Sequence, residues 1–301
     1  MNHRSTLRSI LRAALALAAA CALPAAAQAP ARHVVLISID GLRPDAIEAA
    51  GARNLQRMMK EGAYTLRART IVPSRTLPSH TSMLTGVPPE VHGITWNFEQ
   101  VGSTGTVKVP TVFDVAQDAG KTTAGFFGKA KFRHLLRREA PRFRMAPSGS
   151  DLWAAPRMTQ EVQDYLRHRR PDFVFVHLID PDIAGHSVGW MSAPYRFAVR
   201  RADAAVARIA AAASRAYAGD VVVIVTADHG GHGRDHGTEL DVDMTIPWIA
   251  WGRGVRPGEI TAPVSTMDSA ATALWLLGVP RPGSWLGRPV ESAFDPAATS
   301  R

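Results

Sequence analysis

Val34-Val35-Leu36-Ile37-Ser38-Ile39-Asp40-Gly41 joins a run of bulky aliphatic residues to a carboxylate and a glycine. An apolar run without alternation describes a strand covered on both faces, as in a parallel sheet with helices on each side. The pattern recurs at residues 173–178, which run into Asp180-Pro181-Asp182, and at residues 221–225, which run toward Asp228-His229. Residues 122–127 and 246–251 predict further strands, and Pro247 marks the latter as an edge or irregular one. Helical patterns lie between. Ile47, Leu55, Met58 and Met59 form the stripe of a helix ending near Glu61, and residues 193–218 read as an alanine-rich crossover helix with Arg200, Arg201, Asp203 and Arg208 on its polar side. A last helix is expected at 267–277 and a frayed tail at 288–301. The expected fold is α/β: a three-layer α/β/α sandwich with a mostly parallel central sheet.

Residues 1–29 read as a secretory signal peptide: Arg4, Arg8 and Arg12, an apolar run over 13–23, then small residues. Residues 30–301 then form a single catalytic domain, expected in the periplasm or outside the cell, with no membrane span after cleavage. The one cysteine, Cys21, lies in the leader, so neither a disulfide nor a thiolate ligand is available to the mature chain. Ala18-Ala19-Ala20-Cys21 lacks the larger aliphatic residue that a lipidation site places three before the cysteine. Formal charge is +9, or +6 without the leader's three arginines. That excess favours a small anionic partner. It is spread along the chain, and no nucleic-acid-binding motif accompanies it.

Strand ends concentrate the chemistry. Asp40, Asp182, His186, Asp228, His229 and His236 give three carboxylates and three imidazoles, a donor set suited to Zn²⁺, with Mn²⁺ or Fe²⁺ as substitutes. Asp182 and His186 are four apart, so one helical turn puts them on one side. Asp40 also fits a helix cap. Thr76, in Pro73-Ser74-Arg75-Thr76-Leu77-Pro78-Ser79-His80, stands just before a helix expected to open at Ser79, where a hydroxyl serves either as a cap or as a nucleophile beside free N–H groups. Asn97 offers an amide to a non-bridging oxygen. His232 and Asp180 read as neighbours of the site, His80 and His92 as supports of the Thr76 loop, and His134, His168 and His177 as surface or satisfied core histidines.

The string Thr76-Leu77-Pro78-Ser79-His80, followed by Leu84-Thr85-Gly86 and His92-Gly93-Ile94, resembles the alkaline phosphatase superfamily, most closely its type I phosphodiesterase/nucleotide pyrophosphatase branch. The resemblance implies Thr76 as nucleophile and Asn97 as the phosphate-binding amide. It implies one zinc on Asp40, Asp228 and His229 together with Thr76, and another on Asp182, His186 and His236. Thr76 and His80 stand where sulfatases have the ends of a Cys-x-Pro-x-Arg frame, which argues against a sulfatase. Branch members usually carry a long insertion between the Asp-His pair and the last His, whereas six residues separate His229 from His236 here. The implied activity is phosphodiester hydrolysis through a phospho-threonine. A phosphomonoesterase or phosphonate hydrolase shares the reaction centre, and a metal- or anion-binding protein without turnover is the non-enzymatic alternative.

Overall fold

The computed structural model describes residues 31–137, 142–145 and 152–295, so the leader lies outside the described residues. Eight strands form one sheet: β1 (His33–Ile39), β2 (Ala63–Arg69), β3 (Thr123–Phe127), β4 (Arg142–Met145), β5 (Phe173–Leu178), β6 (Val221–Thr226), β7 (Thr245–Gly252) and β8 (Gly258–Glu259). Their spatial order is β4-β3-β5-β1-β6-β7-β2-β8. The first five in that order are mutually parallel, with Ile39 beside Leu178 and Ser38 beside Thr226. β3, β5 and β6 are buried at every position, the consequence of Val, Ile and Phe facing both ways.

Helices cover both faces. On one lie α1 (Asp45–Ala49), α2 (Arg53–Glu61), α5 (Ala155–His168), α6 (Asp180–Val188) and α7 (Ala193–Ala216); on the other, α3 (Thr76–Thr85), α4 (Val112–Asp118) and α8 (Asp268–Leu276). The expected sandwich is present. Among the described residues no helix is long and apolar enough to cross a membrane.

The structure corrects four details of the sequence reading and, for Pro247, selects the irregular position over the edge. The helix expected to run through to Glu61 is two, α1 and α2, broken where Gly51 takes φ +64°. Asp203 faces inward: its Oδ1 accepts the Leu55 N–H at 2.7 Å and its Oδ2 that of Asn54 at 3.3 Å, so α7 satisfies the free donors at the start of α2. β7 is an interior strand, between β6 and β2. Pro247 is tolerated there because the β2 register shifts between Thr65 and Ala68, opposite Trp248 and Ile246, so no ladder bond is required of it. Residues 288–295 do not fray, since Val290, Ala293 and Phe294 join the core. Finally, α3 begins at Thr76, with Arg75 as its N-cap, and Pro78 falls in the first turn, where no N–H is needed.

Candidate active site and metal centre

Because β3, β5, β1 and β6 run parallel, their C-terminal ends meet at one edge of the sheet, where loops and helix starts converge. Asp40 follows β1, the Asp180–Val188 helix follows β5, Asp228-His229 follows β6, and Lys129 follows β3 two residues past Phe127. Gly41 takes φ +70°, which turns the chain away at once and leaves the Asp40 carboxylate facing the cluster.

Each of the three carboxylates has one oxygen engaged and one without a hydrogen-bond partner. Asp40 Oδ2 accepts from Lys129 Nζ at 2.6 Å and His177 Nε2 at 2.9 Å, Asp182 Oδ2 accepts from Lys129 at 2.6 Å, and Asp228 Oδ1 accepts the Gly41 N–H at 3.1 Å. Asp40 Oδ1, Asp182 Oδ1 and Asp228 Oδ2 are buried and unpartnered. Each imidazole is set the complementary way. His229 Nδ1 bonds the Gly230 carbonyl at 2.8 Å, His186 Nδ1 that of Arg234 at 2.9 Å and His236 Nδ1 that of Ser74 at 2.8 Å. With Nδ1–H donating, the Nε2 lone pair of all three rings faces inward.

These inward atoms gather at coordination distances. His229 Nε2 is 3.2 Å from Asp228 Oδ2, 3.3 Å from Asp40 Oδ1 and 3.5 Å from Thr76 Oγ1. His186 Nε2 is 3.3 Å from Asp182 Oδ1 and 3.1 Å from His236 Nε2, which is itself 3.7 Å from Asp182 Oδ1. Four ligands at about 2.0–2.2 Å from one tetrahedral ion would stand roughly 3.3–3.6 Å apart. The donor set fits a divalent cation in each half. Asp40, Asp228 and His229 form one compact group; Asp182 and His236 approach a second, which His229 borders and His186 completes.

The charges have not cancelled. Burial alone would raise Asp40, yet Lys129, His177 and His229 hold its carboxyl well below the usual range. Asp228 is pushed well above it, by burial and by Asp40. Burial would lower His229, but Asp228 and Asp40 lift it to about 9. At His229 the two carboxylates outweigh the cost of burying a charge.

Thr76 is 1% exposed at the first position of α3. Of the first three residues of α3, Pro78 has no N–H and Leu77's donates to Asn97 Oδ1 at 2.9 Å, leaving that of Thr76 to meet an anion. His80 holds the segment down, its Nδ1 bonding the Thr76 carbonyl at 2.7 Å and its Nε2 Ser38 Oγ at 2.8 Å. His92 supports it from behind through Ser82 at 3.0 Å. His232 stands apart, bonded to Asp243 at 2.8 Å, and Asp180 accepts the Ala155 N–H at 2.7 Å and pairs with Arg201 at 3.2 Å. His134 bridges Gly105 and Gln100 in the core, whereas His177 holds Asp40.

Sequence reasoning passed over Lys129, Lys131, the part played by His177, and Trp190. Trp190 donates to the Gly41 carbonyl at 2.9 Å and wedges behind the cluster, its ring against Gly185 and Gly231. The signal for Lys129 was available. Residues 122–127 predict a strand, and Gly128-Lys129 follows its C-terminal end.

The profile of the type I phosphodiesterase / nucleotide pyrophosphatase family matches residues 34–245. GPI ethanolamine phosphate transferase 1 of Emericella nidulans is 25% identical over 264 residues, which are 76% of this chain and 28% of that protein. Human ectonucleotide pyrophosphatase/phosphodiesterase family member 1 is 26% identical over 192 residues, 57% of this chain and 20% of that one. The chain thus spans under a third of the length of these curated relatives. Murine ectonucleotide pyrophosphatase/phosphodiesterase 5, solved as an inactive variant in complex with AMP, superposes with TM-score 0.72 at 15% identity, covering 88% of this chain and all of that one. A Bacteroides thetaiotaomicron protein described as a putative sulfatase superposes at 0.70 and 16% identity, over 87% and 74%. The fold is therefore that of the alkaline phosphatase superfamily, and this chain belongs to the type I phosphodiesterase/nucleotide pyrophosphatase family.

Proposed function

We propose that the chain is an exported hydrolase of small anionic phosphate esters, most nearly a phosphodiesterase or nucleotide pyrophosphatase, acting through a covalent phospho-threonine on Thr76. The observation that carries this reading is the place of Thr76: a buried hydroxyl at a helix N-terminus, 3.5 Å from the inward nitrogen of His229. Two divalent cations, Zn²⁺ first among them, would be held by Asp40, Asp228, His229 and Thr76 and by Asp182, His186 and His236; when bound they supply Lewis acidity that eases loss of the alcohol proton and offsets charge on the reacting oxygens. Thr76 Oγ1 forms a bond to phosphorus while the bond to the leaving oxygen breaks. Asn97, with its carbonyl oxygen occupied, turns its NH₂ toward a non-bridging oxygen. His186, whose side chain is 43% exposed, lines the open side from which water reaches the phospho-threonine, so the two displacements give net retention at phosphorus.

Zinc-loaded Thr76→Ala should lose at least 10³-fold in kcat/KM on an aryl phosphodiester, a loss on the scale of removing a covalent nucleophile. Its fold should stay intact, with zinc still held by Asp40, Asp228 and His229 and by Asp182, His186 and His236. Full chelator-sensitive activity in that variant would overturn the assignment. The matching relatives named as transferases favour one second reading, in which an alcohol rather than water takes the phosphoryl group. Product analysis with and without an added acceptor alcohol such as glycerol separates the two.

A further inference from the structure

We propose that Lys129 is the resident counter-ion of the metal centre, holding Asp40 and Asp182 together while no cation is bound, so that the carboxylate cluster can be buried in a folded, metal-free chain. The inference rests on the two-cation reading above. Lys129 is 8% exposed, and its Nζ stands 2.6 Å from Asp40 Oδ2 and 2.6 Å from Asp182 Oδ2. Those carboxylates belong to different halves of the centre, so one ammonium ties the halves together. It binds their outer oxygens and leaves Asp40 Oδ1 and Asp182 Oδ1 unpartnered and facing inward.

Asp40, Asp182 and Asp228 are all buried. An unpaired buried ion costs several kcal/mol, and like charges sharing one site add to that. Lys129 is the one cationic group of fixed charge bonded to this cluster among the described residues, the other basic contacts being imidazoles. It reaches there because Gly128 lets the turn after β3 lie against α6: a Cβ on that residue would come 2.5 Å from the Ile179 side chain. When divalent cations fill the inward positions they supply the positive charge themselves. The demand on Lys129 is therefore greatest in the metal-free state.

Thermal unfolding of the whole chain, metal-stripped and zinc-loaded, tests this in Lys129→Met, Lys129→Arg and the double variant Lys129→Met/Asp182→Asn. Lys129→Met should lower the Tm of the stripped form by on the order of 10 °C, and that of the loaded form by less than half as much. Lys129→Arg should stay near wild type. The double variant, with one carboxylate neutralised, should recover most of the stripped-form loss, and that recovery decides the matter if Lys129→Met alone fails to fold without zinc. An equal drop in both forms would make Lys129 a packing residue, and an unchanged stripped form with a raised KM would make it a substrate contact; either overturns the proposal. Should zinc fail to raise the wild-type Tm, the two-cation reading is what fails, and the counter-ion role then stands or falls on recovery in the double variant.

Discussion

Lys131 Nζ lies 3.0 Å from Asn97 Oδ1, the same oxygen that accepts the Leu77 N–H at 2.9 Å. Two donors on one oxygen fix which way the amide faces, and among the described residues its NH₂ has no acceptor. Lys131 pairs with no carboxylate there either. Burial, then the neighbouring Lys129, lowers it to about 8. A half-buried cation without a partner anion beside the proposed reaction centre is a place for a substrate oxygen. Lys131→Met should raise KM for phosphate esters about 10–100-fold, the scale of one hydrogen bond to a charged group. Steady-state kinetics at two ionic strengths checks this, and an unchanged KM would confine Lys131 to the support of Asn97.

His177 donates to the Asp40 oxygen that Lys129 also holds. Such partners of a metal-binding carboxylate set its direction and basicity, and their loss typically weakens binding 10–100-fold. His177→Phe keeps a ring of similar shape among Phe132 and His80. Zinc competition against a chelator should show weakening of that order. Unaltered affinity would mean that Lys129 alone orients Asp40.

Burial lowers His92 to about 4, and its Nδ1 accepts the Ile94 N–H at 3.1 Å, so a proton there would face another donor. Unfolded, the same ring takes its proton near 6.5. Between these values the unfolded chain binds more protons, so stability is lost as pH falls from about 6.5 to about 4, by up to about 3 kcal/mol. Denaturant titrations across that range should lose this slope in His92→Gln. A wild-type slope retained in the variant would assign the effect elsewhere.

A Cβ at Gly185 would come 2.6 Å from the Trp190 ring, which stands 5.2 Å from the His186 ring and 5.8 Å from that of His236. Gly185→Ala must move either the indole or α6, and overpacking of this kind costs about 1–3 kcal/mol. Because α6 carries Asp182 and His186, activity should fall more than stability. Equal zinc content and unimpaired kcat/KM in a destabilised variant would show that the wedge serves packing alone.

Much of this was legible beforehand because aliphatic runs ending in Asp are a coincidence of two independent patterns. The runs at 34–39, 173–178 and 221–225 mark the sheet, and the residues after them mark its active edge. β2, with exposed Arg67 and Arg69 and a bulge, carries no such run, and pairing with β7 is what makes it a strand. Lys129 and Lys131 were missed for a different reason: they are not metal-ligand types, and a lysine in sequence reads as surface until burial is known. Asp203 failed likewise, since an acid on a helix reads as solvent-facing and only the approach of α2 gives it N–H groups to accept from.

Asp182, Asp40 and Asp228 descend from β5, β1 and β6, three strands that lie side by side. Adjacent strands sit about 4.8 Å apart whatever their sequence. The sheet is thus a ruler for the proposed metal centre, setting the gap between its two halves by backbone hydrogen bonding. Loops around it can be lengthened, shortened or exchanged to suit a new leaving group, as the tight turn from His229 to His236 exemplifies, without recalibrating the chemistry beneath.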